Sequence, residues 1–154
     1  MAKRASRFFT IGYEQARIDA VIAELTRAGV KLLVDIRAVA ASRRPGFSKR
    51  QLAAALDQAG IAYLHLQKLG TPADGREAAR SGDYPKLWKI YEKHLKTADP
   101  SEQLDELTQM LRAGPPLCLL CYERDVNHCH RRRVAELLSE RTGAKADNLV
   151  PAIF

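Results

Sequence analysis

Apolar residues in this chain gather into short dense runs, separated by stretches in which they recur at helical spacing. Phe8-Phe-Thr-Ile-Gly12 is a brief apolar run closed by glycine, which reads as a strand entering a turn. Ile18, Val21, Ile22 and Leu25 then recur three and four residues apart, so a helix is expected, with Gly29 at its C-terminal cap. Lys31-Leu-Leu-Val-Asp-Ile36 is compact and apolar, the pattern of a strand covered on both faces. Ser48 and Gln51 have the Ser-x-x-Gln spacing of a capping box, ahead of a helix carrying Leu52 and Leu56 and closed by Gly60. Ile61-Ala-Tyr-Leu-His-Leu66 reads as a third strand.

Residues 67–83 contain Gly70, Pro72, Gly75 and Gly82, so they read as a long polar loop and a candidate lid. Two helices are expected next. One carries Tyr84, Leu87, Trp88, Tyr91 and Leu95; the other opens at Asp99-Pro100 and carries Leu104, Leu107 and Leu111. Pro116-Leu-Cys-Leu-Leu-Cys121 is a fourth strand. A helix runs from about Asn127 through Val134, Leu137 and Leu138 to Gly143, and Leu149-Val150 suits a last short strand. Strands alternating with helices predict a single three-layer α/β domain. Its mostly parallel sheet has four to five strands, helices on both faces and right-handed crossovers. Residues 1–7 read as a basic N-terminal tail and residues 8–154 as the domain, with no internal repeat, low-complexity tract or linker.

In such folds ligands bind beyond the carboxyl ends of the strands. Here that rule selects Gly12-Tyr13, Asp35-x-Arg37, Cys121-x-Glu123 and Cys129-His130-Arg131. The charge pattern agrees. The 154 residues include 25 Lys and Arg against 18 Asp and Glu, a net charge of +7 that suits a phosphate-bearing or polyanionic partner. Arg37, Arg43, Arg44, Lys49 and Arg50 follow one strand, and Arg124, Arg131, Arg132 and Arg133 follow another, while the segment from Glu102 to Glu106 is acidic. Apolar residues at 46% and charged residues at 28% belong to a globular chain, not a disordered one. No apolar run approaches the ~18 residues that span a bilayer. The basic start is not followed by a hydrophobic signal stretch, so a cytoplasmic location is expected, with the three cysteines as free thiols.

The segment Cys121-Tyr-Glu-Arg-Asp-Val-Asn-His-Cys-His-Arg131 runs from a strand end to a helix start. A helix N-terminus offers unpaired amides and the positive end of a dipole, which attract an anion and lower the pKa of a nearby thiol. Cys121 or Cys129 can therefore serve as a thiolate, with Glu123 or His130 as acid–base partner and Arg131 supplying charge. Against this, Cys121 can be a small core residue, Cys129 a surface thiol and His130 a hydrogen-bonded core histidine. Asp35, Arg37, Arg43 and Arg44 can bind an anion or simply order a basic loop. Tyr13 and Tyr84 are placed to face the same site.

No metal site is assigned. Cys118-x-x-Cys121 resembles half a zinc site, but residues three apart in a strand point to opposite faces. Geometry permits a set of Cys121, Cys129 and His130 or His128. A Cys-x5-Arg phosphate loop is absent, because Asn127 and Ala135 stand six positions after the two cysteines.

Taken in order, Thr10-Ile-Gly-Tyr13, Leu33-Val-Asp-Ile-Arg37, Pro45-Gly-Phe47, Leu69-Gly70, Tyr84, Cys121-Tyr-Glu123 and Cys129-His-Arg131 resemble the domain-of-unknown-function 488 family from about Phe8 to Val150. The resemblance implies an α/β domain with a shared polar site, in a family without an agreed activity. Tyr13 stands where many members carry His, and Thr71 where they carry a second Gly, so any role of a histidine at position 13 is altered. A fainter similarity is to rhodanese-like domains, which share a Val-Asp-x-Arg strand end and a strand ending in Cys. Three functions compete. The first is an enzyme that acts on a phosphate-bearing or other anionic substrate, such as a nucleotide or nucleic acid, through a Cys thiolate. The second is a non-catalytic nucleic-acid-binding module with an arginine-rich edge. The third is a metal-binding or redox-sensing protein using Cys121, Cys129 and His130. The sequence assigns no cofactor, substrate identity or oligomeric state.

Overall fold

The dense apolar runs become adjacent strands. The computed structural model describes residues 7–153. It contains a five-stranded sheet in the order β3-β2-β4-β1-β5, from β1 (Arg7–Gly12), β2 (Leu32–Asp35), β3 (Ala62–His65), β4 (Leu117–Cys121) and β5 (Lys145–Leu149). Every neighbouring pair is parallel, so the protein is α/β with crossover helices, as the alternation of patterns requires. The basic tail proposed for residues 1–7 falls outside the described residues except for Arg7, which opens β1.

Side-chain alternation divides the core into two layers. Val34, Leu117, Leu119 and Cys121 face α4 (Tyr84–Leu95), α5 (Ala98–Ala113) and α6 (Arg131–Thr142), together with Tyr91, Leu107 and Val134. Leu33, Cys118 and Leu120 face the opposite layer, with Val21 and Leu25 of α1 (Ile18–Arg27) and Leu52 and Leu56 of α2 (Lys49–Gln58). Cys118 and Cys121 therefore lie on opposite faces of β4, as the period of two demands.

Three local expectations are corrected. Residues 67–83 are not a loop: they form a 3-10 turn (Gln67–Leu69) and α3 (Ala73–Arg80). Glycine and proline suggested a break, but Pro72 sits at the N-cap and Gly82, at φ +77, ends the turn after the helix. Between them stand Arg76, Glu77, Ala78, Ala79 and Arg80, all good helix formers. The Ser48–Gln51 capping box does not form. Ser48 Oγ instead bonds backbone groups of Ser42, and Gln51 Oε1 accepts from the Gly46 amide, so both side chains brace the preceding loop. Finally, α6 starts at Arg131 and not near Asn127. Asp125 caps a separate 3-10 turn (Val126–His128), and Cys129 is extended, at φ −128 and ψ 142.

The carboxyl ends of β1 and β4 are level, with Gly12 opposite Cys121. Their pairing continues beyond the strands, through Tyr13 N–H to Cys121 O and Glu14 N–H to Tyr122 O. The Arg124 amide then donates to Glu14 Oε1. Gly12 is required here, because a Cβ on it would overlap the Glu123 carbonyl. Gly12→Ala must displace the 122–124 turn and is expected to cost about 1–3 kcal/mol, read as a lower urea midpoint. An unchanged midpoint would show that the turn does not pack against this strand end.

Candidate functional site

Beyond the carboxyl edge of the sheet lies a cavity of about 470 Å³. Of the residues selected from sequence, Tyr13, Arg37, Tyr84, Cys121, Glu123, Cys129 and His130 line it. Asp35 lies behind the wall, Arg131 lies beneath the floor, and Arg43 and Arg44 are not among the lining residues. Sequence reading missed Arg76 and Arg80, which line it from α3. Treating residues 67–83 as a loop hid them; as a helix, Arg76 and Arg80 are four apart and share a face.

The three cysteines are not all free, contrary to the expectation for a reducing compartment. Cys121, at the end of β4, and Cys129, before α6, form a disulfide, with Cα atoms 7.4 Å apart. Both line the cavity. Cys118 alone is free, and burial raises its thiol pKa well above the ordinary value.

Beside the pair, His130 is half-buried at the start of α6. Its Nε2 is 2.7 Å from the carbonyl oxygen of Ile36, which can only accept, so Nε2 carries the hydrogen. That leaves the Nδ1 lone pair facing Cys129 Sγ at 3.9 Å. An edge contact with the Tyr91 ring at 5.4 Å holds the imidazole plane. His128 takes no part in this cluster and stacks on Tyr84 at 4.5 Å along the wall.

Arg131 is 1% exposed. Its Nε donates to Thr10 Oγ1 at 3.3 Å and its Nη2 to the Arg124 carbonyl at 3.2 Å, while Nη1 donates to the Glu123 carbonyl and to Cys121 Sγ at 3.4 Å. None of these acceptors is a carboxylate. Burial lowers the guanidinium pKa to about 10, which still leaves it charged at neutral pH. Burial also raises the Glu123 carboxyl above its ordinary range.

Arg37 is equally buried but differently occupied. Nε and Nη2 make a bidentate pair with Asp35 at 2.9 and 2.7 Å, and Nη1 donates to Tyr13 Oη at 3.0 Å and to the Phe47 carbonyl at 2.8 Å. Tyr63 Oη donates to the same carboxylate at 2.6 Å. Against the burial that would lower it, the Asp35 carboxylate raises the Arg37 pKa. Arg44 is turned away, donating twice to the Ala16 carbonyl. Asp35, Arg37 and Arg44 thus brace the loops that shape the cavity.

A family model described as "Domain of unknown function DUF488" matches residues 17–138, most of the chain. The chain belongs to the DUF488 family. The matched span contains Asp35, Arg37, both paired cysteines, His130 and Arg131, and is narrower than the stretch from Phe8 to Val150 over which the motifs resemble the family. No curated protein and no solved structure matches the chain, and nothing found supports the rhodanese-like similarity. Among the described residues, no helix is long and apolar enough to cross a membrane.

The His130 environment has a consequence for the stability of this protein that can be measured. Burial lowers its pKa from 6.5 to about 4. Above pH ~6.5 the ring is neutral whether folded or not, and the stability from its neutral burial is fully present. As pH falls from ~6.5 toward 4 the unfolded chain takes up the proton first, so stability declines, by up to about 3 kcal/mol. Urea midpoints between pH 4 and 7 should fall with acid more steeply for wild type than for His130→Asn; equal slopes would contradict the assignment.

Proposed function

We propose that this protein is a thiol–disulfide redox enzyme, in which Cys121 and Cys129 cycle between disulfide and dithiol and the cavity admits a small anionic thiol or its disulfide. The observation that carries this reading is the position of the pair. The disulfide lines a cavity at the carboxyl edge of a parallel sheet, the edge at which folds of this kind bind their ligands, so a molecule held there lies against the sulfurs. A volume of about 470 Å³ suits a small molecule. Arg76 and Arg80 supply the cationic wall that favours an anionic one.

The exchange has a direction. A substrate thiolate attacks Cys129 Sγ, the Sγ–Sγ bond breaks, and the electron pair leaves on Cys121. A second substrate thiolate attacks the substrate sulfur of the mixed disulfide, releasing the substrate disulfide and the Cys129 thiolate, which takes a proton. In sum, protein disulfide and two thiols give protein dithiol and one substrate disulfide. Cys121 is the better leaving group because Arg131, lacking any carboxylate partner, stands 3.4 Å from its sulfur. His130 Nδ1 is placed to accept from the Cys129 thiol in the reduced state.

The folded protein is expected to equilibrate with a glutathione redox buffer at Cys121 and Cys129 together, leaving Cys118 unmodified, as read by alkylation and peptide mapping. Cys121→Ser should accumulate a mixed disulfide on Cys129, and Cys129→Ser should accumulate far less on Cys121. In the reduced protein Arg131→Met should slow iodoacetamide labelling of Cys121 at pH 7 by about tenfold, since one unit of thiol pKa is a factor of ten in thiolate. If neither cysteine responds to the buffer while the protein stays folded, the redox reading fails.

A further inference from the structure

The same three side chains have a second property that the disulfide hides. Cys121 Sγ, Cys129 Sγ and a ring nitrogen of His130 all lie within 4.8 Å of one another. A tetrahedral zinc ion with sulfur ligands at about 2.3 Å and nitrogen at about 2.1 Å needs its ligand atoms roughly 3.5–3.8 Å apart. The Cα atoms of the two cysteines are 7.4 Å apart, so once the sulfur–sulfur bond is broken, side-chain rotation can open the sulfurs to that spacing. We infer that the reduced form of this protein binds one thiophilic divalent cation of the zinc class through Cys121, Cys129 and His130 Nδ1, with a fourth position open to the cavity. The inference rests on the reading that the Cys121–Cys129 disulfide is reversible.

Two further observations point to a ligand set and not to a chance cluster. Metal-binding histidines usually donate their second ring N–H to a carbonyl or carboxylate, which fixes the tautomer and aims the free lone pair. The His130 Nε2 contact to the Ile36 carbonyl at 2.7 Å has that form, and its Nδ1 faces the sulfurs. Cys121 Sγ in turn accepts from buried Arg131 at 3.4 Å, an outer contact that orients a thiolate ligand. His128, the alternative ligand left open by the sequence, is taken up by Tyr84.

The donor set also selects the ion. Two thiolates and an imidazole suit zinc and related borderline-soft cations and disfavour magnesium or calcium, which prefer oxygen. Two thiolates cancel the charge of a divalent ion. All three ligands line the cavity, so the remaining coordination position faces it. Oxidation joins the two sulfur ligands to each other, so metal binding and the disulfide exclude one another.

The test uses the full-length protein, reduced, stripped with a chelator and titrated with cobalt(II) as a spectroscopic stand-in for zinc. One equivalent should bind with an intense thiolate-to-cobalt absorption band, zinc should displace it, and protein reoxidised to the disulfide should show no band. Cys129→Ser should lose the band, and His130→Ala should weaken binding by more than about tenfold, with circular dichroism reporting that each variant is folded. A reduced, folded protein whose Cys121 and Cys129 both exchange with glutathione yet give no cobalt band overturns the metal site and leaves the redox reading standing. Binding that survives Cys129→Ser and His130→Ala unchanged also overturns it. A disulfide that cannot be reduced without unfolding overturns both.

Discussion

The site depends on a buried cation whose hydrogen-bond acceptors include no carboxylate. Arg131 reaches from the first turn of α6 under the cavity and donates to a hydroxyl on β1, a sulfur on β4 and two carbonyls of the turn between β4 and α6. Isolated buried charge is costly, by several kcal/mol per ion even after relaxation, unless hydrogen bonds satisfy it. Here the acceptors come from three different elements, so satisfying one side chain fixes their mutual arrangement. Thr10 is itself held, donating to Asn148 Oδ1 on β5 at 2.6 Å. The turn is pressed against Gly12, and Cys129 and His130 follow directly from it. The geometry of the cysteine pair is in this sense a consequence of where Arg131 finds acceptors.

The two buried arginines divide their work. Arg37 faces a carboxylate, the Tyr13 ring and hydroxyl, and the Phe47 carbonyl, with Tyr13 stacked on Phe47 at 4.3 Å beside it. A bidentate pair of this kind is complete and has little left to offer a ligand. It ties the loop after β2 to the turn after β1 and so keeps the cavity wall in place. Removing Asp35 would strand a buried guanidinium, a heavier loss than removing the pair together. Arg131 is the opposite case. Its donors are engaged by neutral acceptors, and Glu123 and Asp125 act on its charge only at longer range, so Cys121 Sγ at 3.4 Å is the group on which its charge bears most directly.

Much of this was legible in the sequence, and the reasons for success and failure are local. Dense apolar runs such as Leu117-Cys-Leu-Leu-Cys121 have few ways to be buried except as inner parallel strands, so the sheet and the cavity-bearing carboxyl edge followed from periodicity. The convergence of Cys121, Glu123, Cys129 and His130 followed from the same edge. The helix at Ala73–Arg80 was obscured because glycine and proline mark helix ends as well as loops, and Gly75 sits inside it against Thr71. The engagement of Arg37 was hidden because Phe47 and Tyr13 lie 10 and 24 residues away. Spacing likewise does not reveal that two cysteines eight apart meet, since the intervening turn, capped by Asp125, sets their approach.

In the proposed redox cycle, the absence of a carboxylate hydrogen-bonded to Arg131 bears on which state of the pair the fold favours. In the disulfide, every acceptor of the guanidinium is neutral. Reduction of the pair with Cys121 ionised places a full negative charge 3.4 Å from Nη1. At an effective dielectric of about 20 that attraction is worth roughly 5 kcal/mol. The opposing cost of taking a thiolate out of water is of the same order, several kcal/mol, so neither term alone decides. The guanidinium has already lost its own hydration in both states, however, so only the thiolate's penalty is new when the bond breaks. The pairing is therefore close to self-compensating, and the buried cation removes most of the electrostatic objection to opening the disulfide. An apolar side chain in place of Arg131 would leave the thiolate's burial unopposed and hold the pair oxidised. A buried arginine with no carboxylate hydrogen-bonded to it, expensive as a stabilising device, makes physical sense in the proposed cycle as the counterion of a thiolate that forms only on reduction.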